Sequence, residues 1–147
     1  MDEGAFFESL DQNIAKHKQS EADKAKKEEA TEDATRKAIG QVRPLLESYK
    51  VALEKRGIDV KLSIAGRGCD LLTFELMYHH SGHHGFRIEG GGITKLFSEN
   101  GKSYTASAGG PSMRGDQIDM AAFETFIQSI IQEFMVHAPK NGGYLKQ

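Results

Sequence analysis

No linker between Ile58 and Ser107 is long enough to carry the chain across a sheet, yet that span holds five runs of strand character. Parallel neighbours need a crossover of a dozen or more residues, so these strands have to follow one another as an antiparallel meander. The first run, Ile58-Asp59-Val60-Lys61-Leu62-Ser63-Ile64, alternates strictly between apolar and polar, the pattern of a strand with one buried face. Ala65–Asp70 turns it into a hairpin spanning Leu71–Glu89. Gly90-Gly91-Gly92 then leads to Ile93–Ser98, and Asn100-Gly101, a strong hairpin signal, separates that run from Ser103–Ser107.

The central hairpin carries four of the six histidines. Its two buried faces must coincide, which fixes the parity of its register. A two-residue Ser81-Gly82 loop would set Met77 opposite Phe86 and Leu76 opposite Arg87, mixing the faces. A three-residue loop of His80, Ser81 and Gly82 pairs Tyr78 with His84, Leu76 with Phe86 and Phe74 with Ile88, and puts glycine at a left-handed position. In that register His79 and His83 oppose each other at roughly 5 Å between β-carbons. Two imidazoles so placed could share Zn²⁺, Ni²⁺ or Cu²⁺, with His80 or His84 as a further ligand. The competing expectation is a solvated hairpin tip with no bound cofactor.

After the strands, Ala108–Gln117 reads as a loop, and its Ser112 and Arg114 are candidates for holding an anion. Asp119 is placed to cap a helix over Met120–His137, with Ile118 and Phe123 as a hydrophobic staple and Pro139 as its stop. Phe123, Phe126, Ile127, Ile130, Phe134 and Met135 form one broad apolar stripe that needs a sheet to cover.

Upstream of Ile58 the residues favour helix almost throughout, with Ala, Glu, Lys and Gln dominant. A heptad frame through Phe7, Leu10, Ile14, Val42, Leu45 and Tyr49 is apolar at both ends and polar between them, so burial cannot hold its middle. Pro44 removes one helical hydrogen bond, and a kink or a fresh start near Gln41 is expected. Val42–Arg56 then reads as an amphipathic helix packed on the sheet. The chain thus divides into a charged helical arm over 1–40 and a globular domain over 41–147. Phe6, Phe7, Leu10 and Ile14 of the arm have nothing nearby in sequence to pack on and are the candidate partner-binding residues.

A net charge of −2, with acid and base balanced in both halves, offers no field for nucleic acid or anionic lipid. No apolar run approaches the length of a membrane span, and one cysteine, Cys69, fits a reducing compartment, so a cytoplasmic location is expected. Gly66-Arg67-Gly68 joins strand to strand and points no helix N-terminus at a phosphate. No catalytic constellation stands out. The sequence therefore describes an α+β protein: a long N-terminal helix, a five-stranded meander and a C-terminal helix. Its expected role is a non-catalytic assembly module, forming a homodimer or engaging a partner protein through the arm. The alternative is a metal-binding or metal-sensing protein built on His79 and His83.

Overall fold

The computed structural model describes residues 3–66, 68, 70–79, 82–99, 102–114, 117–141 and 143, and the chain forms two compact units, Met1–Thr31 and Glu32–Gln147. Helix α1 (Glu3–Lys55) is followed by β1 (Asp59–Ala65), β2 (Leu71–Met77), β3 (His83–Glu89), β4 (Gly92–Glu99), β5 (Lys102–Ser107), α2 (Met120–His137) and a 3₁₀ turn over Ala138–Asn141. The strands lie in sequence order and every neighbour is antiparallel. The α+β meander expected from linker length is the one that forms. Asn100-Gly101 and Cys69 lie outside the described residues, but Glu99 pairs with Lys102 across the β4–β5 turn.

Cross-strand pairing arranges one face of the sheet in three rows. Val60, Leu76, His84, Phe97 and Tyr104 make the first; Leu62, Phe74, Phe86, Lys95 and Ala106 the second; Ile64, Leu72, Ile88 and Ile93 the third. Leu72, Phe74, Leu76, Phe86 and Ile88 are fully buried. From α2, Phe123, Ile127, Ile130 and Phe134 join them in one core cluster. Phe86 meets Phe123 and Phe126 edge-on, at 6.0 and 5.1 Å between ring centroids, a geometry that sets ring edge against ring face. Met135, expected in this stripe, is exposed: it falls a residue beyond Phe134, round the helix from the contact.

The β2–β3 register differs from the one expected. Phe74 pairs with Phe86, Leu76 with His84 and Met77 with His83, and the Tyr78 amide donates to the Gly82 carbonyl at 3.1 Å. Each β2 residue therefore meets a partner two positions earlier than expected, while His80 and Ser81 of the expected loop lie outside the described residues. Both registers keep the same side chains on the same face, so alternation cannot choose between them. Contacts outside the hairpin favour the observed one: Tyr78 stacks on Phe134 at 4.5 Å and donates its hydroxyl proton to the Phe134 carbonyl. Burial pushes that phenol up to about 12.

Asp119 caps α2 as expected, its side chain accepting from the Ala122 amide at 3.0 Å. Helix α1 continues through Pro44 with no fresh start at Gln41. The carbonyl that a proline ring crowds belongs to the residue four before it, here Gly40, whose backbone adjusts most easily; both positions are exposed. The buried face of α1 also starts earlier than Val42, since Thr35, Ala38 and Ile39 are sealed in. Gln41 accepts the Ile118 amide proton, and Tyr49 donates to Glu124 (2.9 Å), tying α1 to the start of α2. Among the described residues no helix is long and apolar enough to cross a membrane.

Candidate functional site

The unit Met1–Thr31 carries the candidate partner-binding residues on helix α1. Phe6, Phe7, Leu10 and Ile14 are 53, 51, 41 and 45 % exposed. Spacings of three and four residues put Phe7, Leu10 and Ile14 on one stripe, and Phe6 packs edge-on against Phe7 at 5.4 Å. Beyond Ile14 the same face turns polar, where His17 bonds to Glu21 at 3.0 Å. The result is a short apolar strip bounded by charge, of the kind that amphipathic recognition helices present.

In the other unit, the hairpin histidines separate by face. His84 lies on the buried face and is 3 % exposed, whereas His83 lies on the opposite face, where its amide donates to Ser98 Oγ at 3.1 Å. His79 lies two residues beyond Met77, the last paired residue of β2, and its amide donates to the Gly143 carbonyl. The His79–His83 cross-strand pair, which depended on the expected register, does not form, because Met77 stands opposite His83. His80 lies outside the described residues. Among those that are described, no group of three or more His, Cys, Asp or Glu side chains is placed to hold a metal ion.

His84 instead joins a polar cluster at the margin of the core, with partners from β4 and α2. His84 on β3 and Lys95 on β4 are diagonal neighbours on the buried face, and Glu133 from α2 reaches both. Its Oε2 lies 2.8 Å from His84 Nε2 and 2.6 Å from Lys95 Nζ. A carboxylate only accepts, so the neutral imidazole presents its Nε2–H to Glu133. His137, one turn further along α2, stacks on His84 at 5.9 Å. Burial pulls His84 below the ordinary histidine value; Glu133 opposes this, but Lys95 and His137 add to the depression. Burial alone would raise Glu133, yet hydrogen bonds from Lys95 and His84 hold it below the usual carboxylate range.

This cluster makes stability depend on pH. Unfolded chains take up the His84 proton near pH 6.5 and the folded chain only at lower pH, so its contribution is complete above 6.5 and is lost as pH falls beneath that value. Glu133 acts in a lower window, below its ordinary value of 4.5. Urea midpoints are expected to drop between pH 7.5 and 5.5, and His84→Gln to flatten that slope. An equally steep slope in the variant would show that another group is responsible.

Arg114, offered by sequence as an anion ligand with Ser112, lies across the β3–β4 turn. It contacts Gly91 and reaches the Gly90 carbonyl at 3.4 Å, while Met113 beside it is fully buried and its amide donates to the Gly91 carbonyl. Ser112 is exposed. Sequence reasoning missed Lys95 and Glu133; a charged residue on the buried face of β4, where Ile93 and Phe97 flank it, was the available signal. Comparison with protein-family models, with curated proteins and with solved structures found no match.

Proposed function

We propose that this chain is a non-catalytic assembly module that self-associates through the apolar strip of its N-terminal helix. The observation that carries the reading is the exposure of Phe6, Phe7, Leu10 and Ile14 together on one side of α1. Full burial of a large apolar side chain is worth about 1.5–3 kcal/mol, and these are already half-covered. The eight such side chains in a pair of copies therefore have roughly 6–12 kcal/mol still to gain. Association itself costs about 4–15 kcal/mol. The two magnitudes are comparable, so the association is expected to be reversible and dependent on concentration.

Light scattering of the full chain across a concentration series tests this. The mass should rise from that of one copy to that of two. Phe7→Glu combined with Leu10→Glu places charge inside the strip and should hold the mass at one copy, with the circular-dichroism spectrum of the sheet domain unchanged. Equal masses for the two proteins at every concentration would remove the strip from the account.

A further inference from the structure

We propose that the two copies pair with their N-terminal helices antiparallel, about a two-fold axis that crosses α1 near Leu10 and Asp11. This rests on the self-association reading and adds its orientation. The strip is only two helical turns long, from Phe7 to Ile14, so two strips cover each other fully in just two ways. The helices can run parallel in register, or antiparallel about the strip's midpoint. Both bury the same apolar area, and burial cannot choose between them.

Charge order chooses. Glu3, Glu8 and Asp11 precede the first basic residue, Lys16, and from Lys16 to Lys27 five lysines stand against two acids. Both of those acids are already engaged within the helix, Glu21 by His17 at 3.0 Å and Asp23 by Gln19 at 3.1 Å. A parallel pair would set acidic segment beside acidic segment and align two helix dipoles side by side. An antiparallel pair brings Glu3 and the first turns of one copy alongside Lys16 and Lys18 of the other. Adjacent helix axes lie about 8–10 Å apart, close to the Debye length of about 8–10 Å, so part of the difference survives screening, carried by Glu3 opposite Lys18 rather than by Glu8 and Asp11 beside the axis. A two-fold pair of this kind also uses the same surface on both copies and closes on itself, limiting the assembly to a dimer.

The test is a distance between spin labels in the full chain. Cys69→Ser removes the native thiol, and a nitroxide is attached at Ala25→Cys, an exposed site outside the strip. At a rise of 1.5 Å per residue, the antiparallel pairing separates the two labels by about 40 Å, whereas a parallel pair holds them within about 20 Å. A second sample labelled at Ser9→Cys, close to the axis, should show a short distance and reports that the pair has formed. Two-copy mass with about 40 Å between the Ala25 labels supports the proposal. Two-copy mass with a short Ala25 distance overturns the orientation and leaves self-association standing. A one-copy mass, with no label pair detected at either site, overturns both and leaves the strip to a different protein.

Discussion

Phe86→Ala is expected to lower the unfolding free energy by about 3–5 kcal/mol, the largest effect of any single truncation in the sheet. Phe86 sits in the middle row of the buried face, fully sealed, opposite Phe74 at 5.5 Å and beneath Phe123 and Phe126. Its surroundings cannot collapse into the space. Phe74 is fixed by the β2 backbone, and α2 is held near its start by Gln41 and Tyr49 of α1 and near its other end by the Tyr78 hydroxyl. The loss is comparable to a large part of the ~5–15 kcal/mol that keeps an ordinary domain folded. Urea denaturation reads it directly as a fall in midpoint at constant slope. A loss below about 1.5 kcal/mol, the range of a volume-conserving swap, would mean that α2 does not rest on this ring.

The neighbouring position gives the second large effect, for the opposite reason. Gly85 stands opposite Glu75 on β2 and opposite Leu96 on β4, and Leu96 is nearly buried on that face. A Cβ on Gly85 would lie 2.7 Å from Glu75 Cα and 2.9 Å from the Phe74 carbonyl carbon, and closer still to the Phe74 oxygen. These are backbone atoms of a paired strand, so no side-chain rotation relieves the overlap; β2 and β3 must part. Gly85→Ala is expected to cost more than the ~1–3 kcal/mol usual for overpacking, and to leave little soluble protein. Gly92→Ala is the control, since its Cβ would come no nearer than 4.0 Å to the Glu89 carbonyl. If both variants purified with equal thermal midpoints, the close strand approach at Gly85 would be wrong.

The difference between those two glycines was not legible in sequence, where Gly85 is one residue in an alternating run. Period-two patterning located β1, β2 and β3, the Asn100-Gly101 turn signal located β4 and β5, and the apolar stripe with Asp119 ahead of it located α2 with its cap. These features depend on residues close together in the chain. What failed depends on residues far apart. Alternation leaves the hairpin register open by two residues, because a shift of two keeps every side chain on its own face, and the deciding contacts come from Phe134 and Glu133. The cluster of His84, Lys95 and Glu133 is of the same kind: Lys95 alone stands out in its own segment, and 49 positions separate the hydrogen-bonded pair of His84 and Glu133. For Pro44, the local rule held but its consequence was softened by glycine at position 40 and by solvent exposure of both. The exposed strip on α1 was legible from composition alone, because the charged stretch after Ile14 offers nothing apolar to pack against.

The core is expected to close without the first 31 residues, leaving their apolar side chains for another copy of the chain. The described core supports this division: its cluster runs from Ala38 to Ala138 and takes no residue from the first unit. Sedimentation and thermal unfolding of the fragment 32–147, beside the full chain at the same concentration, test it most directly. The fragment should unfold in one cooperative transition and sediment as a single copy where the full chain sediments as two. A fragment without a cooperative transition, or one that still sediments as a pair, would contradict it.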